Sequence, residues 1–199
     1  MIRPFVVLGL PRSRTFWLSK FLTYQGWTCG HEELRHVRSL RDVQSWLSQP
    51  CTGSAETALA PFWRLIPVLA PECRIVLIRR PVDGVLDSLA RQGISGPNLP
   101  LQMRRADAKL DQIARRADTL EVDYKDLDRE YVCKDIFEFC LPYKHDHEWW
   151  SRISQMNLQI RMIDLIRYIV AYGPQIRSAS EEAKAATLSI MKARQWPSR

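Results

Sequence analysis

Residues 7–22 read VLGLPRSRTFWLSKFL. An apolar run from Phe5 to Leu10 breaks into a proline, two arginines and two hydroxyls, then resumes with helical spacing over Thr15–Tyr24. The pattern predicts a buried strand, a tight turn and a helix. Such a junction leaves backbone N–H groups unpaired and aimed at one point, with the positive end of the helix behind them. That arrangement is an anion cradle. Arg12, Ser13, Arg14 and Thr15 sit on the turn, so guanidinium and hydroxyl donors add to the backbone donors, and guanidinium suits oxyanions through paired hydrogen bonds. A plain helix cap at Ser13 or Thr15, with solvated arginines, is the simpler reading. The interleaving of two arginines with two hydroxyls directly after a strand favours the anion.

Working outward, apolar runs suited to buried strands alternate with helical patterns, the sequence form of an α/β fold with a largely parallel sheet. Further strands are predicted at Cys73–Ile78 and Thr119–Tyr124, with short ones at Trp27–Cys29 and Gly53–Thr57. Helices are predicted at Leu40–Leu47, Pro61–Leu69, Val82–Arg91, Leu101–Arg116 and Asp128–Phe139, then near Trp149–Tyr172 and Ser180–Arg194. Gln92–Pro100, with two glycines and two prolines, reads as an exposed loop that could form a lid.

The chain has 199 residues, 46% of them apolar, enough for one full-sized core. One domain is expected over 1–199, with 142–199 as C-terminal helices packed on it. A net charge of +7 favours an anionic ligand or nucleic acid without choosing between them. Five scattered cysteines without CxxC spacing point to neither a disulfide framework nor a zinc ribbon. With no membrane span and no signal-peptide pattern, the expected location is cytoplasmic.

A nucleoside triphosphatase loop would read GxxxxGK[ST]. Counting from Gly9, the corresponding positions hold Arg14, Thr15 and Phe16, so the second glycine, the lysine and the metal-binding hydroxyl are missing. Such a loop suggests chemistry that runs on arginine and backbone donors, with no metal. At LPRSRTFW the sequence resembles the sulfotransferases that use 3′-phosphoadenosine 5′-phosphosulfate (PAPS), whose loop reads approximately [PV]-P-[KR]-S-G-T-T-[WL]. Pro11, Arg12, Ser13, Thr15 and Trp17 match. The resemblance implies a three-layer P-loop-type fold and an Arg12 that stabilises charge on the departing nucleotide, 3′,5′-bisphosphoadenosine (PAP). It also implies that Ser13 and Thr15 hold the 5′-phosphate and that Trp17 stacks near the adenine. Arg14 stands where the family has glycine, and Phe16 where it has a second hydroxyl.

RIVLIRRPVDGVLDSLAR is similar to the family's 3′-phosphate site, a strand ending in R-x-P followed by a helical serine. Arg79 and Pro81 satisfy R-x-P, whereas the usual spacing of eight residues to the serine runs from Arg80 to Ser88. Arg79 with Ser88 is the preferred pair, and Arg80 the alternative. LEVDYKDLDREYVCKDIFEFCL looks like the family's strand, Y-x-D-L and helix, matched by Tyr124, Asp126 and Leu127 and read as structural. The resemblance spans residues 5 to about 141. The family's glycine- and basic-rich C-terminal segment has no counterpart here.

Transfer to a hydroxyl or amine benefits from a base. CGHEEL offers His31, Glu32 and Glu33, and the branch that sulfates protein tyrosines has a similar C-G-G-E whose glutamate is the base. Glu56 is held in reserve. In KHDHEWW, His145, His147 and Glu148 invite a metal reading, but HxH on a helix splays its side chains, and a helix N-terminus is favoured. Arg104, Arg105, Arg115 and Arg116 could give a basic helix face for nucleic acid. No nucleic-acid fold signature accompanies them, and that partner is ranked last.

The sequence thus predicts a metal-independent sulfotransferase acting on an unspecified hydroxyl or amine, with the oligomeric state open. An atypical P-loop nucleotide kinase and a noncatalytic nucleotide-binding module are the alternatives.

Overall fold

Strands and helices alternate along the chain in the order predicted from the apolar runs. The computed structural model describes residues 3–35, 37–57, 66–115 and 119–156. The strands are β1 (Phe5–Gly9), β2 (Thr28–His31), β3 (Thr52–Thr57), β4 (Arg74–Arg79) and β5 (Thr119–Asp123). They form one sheet in the order β2-β3-β1-β4-β5, with every neighbouring pair parallel. The helices are α1 (Thr15–Phe21), α2 (Leu40–Leu47), α3 (Ile66–Leu69), α4 (Val82–Ala90), α5 (Leu99–Ala114), α6 (Glu130–Cys140) and α7 (His147–Ser154). The predicted helix at Ser180–Arg194, and most of those at Pro61–Leu69 and Trp149–Tyr172, lie outside the described residues.

β1 is apolar throughout because both faces of the sheet are covered. Val6 and Leu8, with Ile75 and Leu77 of β4, pack on one face beneath α2, α4 and α5. Phe5 and Val7, with Val76 and Ile78, pack on the other beneath α1, α6 and α7. Alternate residues serve opposite layers, as the pleat requires.

Helix ends follow local chemistry. Ser39 caps α2 in a reciprocal capping box with Asp42. α1 stops at Phe21 rather than Tyr24, since Gln25 and Gly26 take positive φ values of 43° and 86° and Tyr24 pairs with Trp27 across that turn. α5 starts at Leu99, before the predicted Leu101, because Pro100 is tolerated in a first turn. Ile94–Asn98 is exposed, as expected for a loop.

β3 reads TGSAET, yet all six residues are buried. Gly53 supplies room: a Cβ there would lie 2.2 Å from the ring of Phe5. Gly53→Ala is therefore expected to destabilise the protein by about 1–3 kcal/mol. Urea unfolding checks this, and an unchanged midpoint would contradict the packing.

Because all five strands are parallel, their C-terminal ends share one edge, where open α/β sheets bind ligands. Residues 10–14, 32–35, 80–81 and 124–129 follow four of those ends.

Candidate functional site

The turn after β1 runs through Pro11, Arg12, Ser13 and Arg14 into α1. Arg12 and Arg14 have φ values of 68° and 60°, the left-handed region that favours glycine. Each costs about 1–2 kcal/mol in backbone conformation. In this chain Arg14 Nη1 lies 2.6 Å from Asp128 Oδ1, and its guanidinium is 5.5 Å from the centre of the Tyr124 ring.

Ser13 is fully buried, and its Oγ has no hydrogen-bond partner among the described residues. A buried hydroxyl without a partner is unfavourable unless something satisfies it. α1 has no acidic residue in its first turn and no side-chain cap. The Ser13 hydroxyl is thus the buried polar group of this turn left without a protein partner among the described residues.

The two basic motifs meet here. Arg12 Nε donates to Ser88 Oγ at 3.3 Å, and Arg80 donates through Nη1 to the Arg12 carbonyl and through Nη2 to the Gly84 carbonyl at 3.1 Å. Arg80 also lies 4.1 Å from the centre of the Tyr124 ring. Burial, followed by repulsion from Arg12, Arg91 and Arg14, lowers the Arg80 pKa from its usual value. Arginine stays charged all the same. The excess positive charge calls for an anionic partner.

Arg79 faces elsewhere. Its side chain lies 2.8 Å from Glu121, 3.0 Å from Asp111 and 3.9 Å from Asp107, on the side of β5 and α5. Arg80 follows the last residue of β4, and its side chain is the one that reaches the β1 loop. Arg80 is the arginine with the eight-residue spacing to Ser88, and the preferred Arg79 lies outside this junction. The indole of Trp17 donates to the Ile153 carbonyl at 3.2 Å and its ring stacks on Phe21 at 5.1 Å, tying α1 to α7.

Among the candidate bases, His31 Nε2 lies 3.1 Å from Thr15 Oγ1, and its ring meets Phe16 edge-on at 5.2 Å. Burial, then Arg35 and Lys20, depress the His31 pKa to about 4, so the imidazole is neutral at pH 7. Glu32 is buried in a left-handed conformation, φ 59°, with Arg35 Nε 2.7 Å from its Oε2. Burial raises its pKa, opposed by Arg35 and by hydrogen bonding to Thr57. Thr57 pairs with Gly9 at the end of β1. Glu33 is exposed. Glu56 is fully buried, and its Oε1 accepts from Leu34 N at 3.0 Å and from Ser54 Oγ.

Tyr124, assigned to packing by sequence reasoning, and Asp128, left unassigned, meet the arginines of the β1 and β4 ends. The readable signal was Y-x-D-L after a strand, but its meaning depended on the two arginines that converge on one ring.

Other sequence features resolve differently. Asp146 caps α7 by accepting from Trp149 N at 2.9 Å, while His145 and His147 both contact Glu130, at 3.0 and 2.7 Å. No group of three or more His, Cys, Asp or Glu side chains among the described residues is arranged to hold a metal. Arg104, Arg105 and Arg115 are exposed, and Arg116 lies outside the described residues. A depression lined by Tyr24, Asp146, Trp149 and Arg152 lies near the far end of α1 and contains none of the loop residues. Chemistry, not concavity, locates the site. No helix among the described residues is long and apolar enough to cross a membrane.

No family model matches the sequence, and no curated protein matches it. Among solved structures, the mouse sulfotransferase SULT7A1 complexed with PAP is similar over 80% of this chain and 68% of its own, with a TM-score of 0.55 and 14% sequence identity. The likeness is one of fold, and the fold expected from the motifs is the one observed.

Proposed function

We propose that the chain is a sulfotransferase that moves a sulfuryl group from PAPS to a hydroxyl or amine acceptor. The observation that carries this reading is the junction of Arg12, Ser88 and Arg80, which links the turn after β1 to the end of β4 and the following helix. Two anion-binding elements at one sheet edge suit a nucleotide with phosphate at both 3′ and 5′ positions. The buried, unpartnered Ser13 Oγ supports the same fit, and the sulfotransferase with a similar fold was solved with PAP.

In this reading the turn amides, Ser13 and Thr15 hold the 5′-phosphate, and Arg80 and Ser88 hold the 3′-phosphate. Glu32 takes the acceptor's proton as the acceptor forms its bond to sulfur. The bond between sulfur and the bridging phosphate oxygen breaks, its electron pair stays on that oxygen, and Arg12 stabilises the charge. Neutral His31 holds the Thr15 hydroxyl in place. All five cysteines are free, and Cys29, Cys73, Cys133 and Cys140 are buried, which suits a reducing, cytoplasmic setting.

Thermal unfolding with PAP, with AMP, and with ATP and magnesium tests the proposal. A ligand that binds only the native state at 100 times its Kd adds about 2.7 kcal/mol, or about 5–10 °C for a chain of this size. The expected result is selective stabilisation by PAP. Equal indifference to all three would remove the proposal, and selective stabilisation by ATP with magnesium would replace it with a kinase.

A further inference from the structure

Glu56 lies one residue before the C-terminal end of β3, beside β1, and is fully buried. Ser54 and Glu56 share one face of the strand, while Ala55 packs in the opposite layer. On their side, Glu56 Oε1 accepts the Leu34 amide at 3.0 Å and the Ser54 hydroxyl. Its Oε2 is buried with no partner among the described residues. The Leu34 amide belongs to the 3-10 turn Glu33–Arg35, which follows Glu32 directly. Glu32 is itself buried.

The charge balance is uneven. Charged and titratable groups around Glu56 are Glu32 and Arg35 from the turn and the Cys29 thiol from β2. Burial holds the Cys29 pKa well above its usual value, so it brings no charge at neutral pH. Arg35 is the single cation in this set, and its Nε sits 2.7 Å from Glu32. Two buried carboxylates therefore face one guanidinium. An unpaired buried carboxylate is far more costly than a protonated one, and adjacent carboxylates resist double ionisation.

We propose that Glu32 and Glu56 act as a two-carboxylate unit holding one proton, with Glu56 as the protonated positioning residue that anchors the 32–35 turn and keeps Glu32 as the ionised proton acceptor. The catalytic consequence rests on the sulfotransferase reading; the protonation state does not. Glu56 keeps its Oε1 as the acceptor for Leu34, and its proton relieves repulsion against Glu32. Burial, helped by the Glu32 charge, raises the Glu56 pKa to about 8, in accord with this geometry.

A folded-state pKa above the unfolded one means that the native state binds more protons between the two values. The stability contribution is complete below the unfolded pKa and is lost as pH rises through the folded pKa near 8. Each pH unit inside that window changes the folding constant by up to about tenfold. Urea unfolding of the wild type, Glu56→Gln and Glu32→Gln between pH 5 and 8.5 reads this effect. Glu56→Gln keeps an acceptor for Leu34 but cannot ionise. It is expected to remove much of the wild-type loss, so that the ratio of variant to wild-type folding constants grows by about 10²–10³ across the window. Glu32→Gln removes the repelling charge and should move the wild-type midpoint to lower pH.

A constant ratio across the range would overturn the proposal. If Glu56→Gln does not fold, infrared spectroscopy of the wild type decides: a protonated carboxyl band at pH 7 that fades by pH 9 is expected, and its absence at pH 7 would refute the unit. None of these measurements uses a nucleotide. Failure of PAP binding and failure of the two-carboxylate unit are thus separate outcomes.

Discussion

Arg12→Ala is expected to reduce the proposed sulfuryl transfer by about 10²–10³-fold, the usual consequence of removing one preorganised donor to a developing negative charge. Arg12 stands in a left-handed turn, its Nε donates to Ser88, and its carbonyl accepts from Arg80. The backbone contact survives truncation of the side chain, so the turn keeps one of its two supports. The loss should fall mainly on turnover, because the charge that Arg12 meets grows as the sulfur–oxygen bond breaks. Arg12→Lys should restore part of the rate by supplying charge without the planar fork. Conversion of PAPS to PAP, measured with a panel of hydroxyl and amine acceptors, gives the rate, and calorimetric titration with PAP gives the binding component. An Arg12→Ala protein that transfers at the wild-type rate would exclude the assigned role.

Arg80→Ala is expected to weaken PAP binding by about 10–100-fold, the range for loss of hydrogen bonds to a charged group. Its affinity for AMP should stay nearly constant, since AMP lacks the 3′-phosphate. The PAP-to-AMP affinity ratio is therefore the decisive quantity, and general loosening of the loop would lower both affinities together. Ser88→Ala should move the ratio in the same direction by a smaller factor. Arg79→Ala should leave the ratio unchanged, because its guanidinium is committed to Glu121, Asp111 and Asp107. Those carboxylates are partly exposed, so its stability loss should be about 1 kcal/mol or less. A collapsed ratio in Arg79→Ala with a preserved one in Arg80→Ala would reverse the assignment.

The contrast between these two arginines shows how far local reading reaches. R-x-P selected Arg79 and the eight-residue spacing selected Arg80, and both patterns coexist in RIVLIRRPVDGVLDSLAR. Arg79 ends β4 and Arg80 follows it, and which of them meets the β1 loop depends on the sheet order β3-β1-β4. Trp17 illustrates the same limit. Its helix position was legible, yet α7, more than 130 residues away in sequence, supplies the carbonyl that fixes its indole. Glu56 lay within a short strand reading, but its amide partner comes from Leu34, in the turn after β2.

Local sequence by itself determined the alternation of strands and helices, because the apolar period of each segment is set by which layers it must contact. It also determined the loop after β1, where two arginines and two hydroxyls follow a strand without a break. Tertiary structure alone decided that Tyr124 lies beside both Arg14 and Arg80, that Arg79 is taken up by carboxylates, and that Arg35 pairs with Glu32 while Glu56 is buried behind the same turn. These are juxtapositions of residues far apart along the chain or on different strand ends. Their energies depend on distance, burial and counter-charge, which exist only after the parallel sheet has gathered its C-terminal ends on one edge.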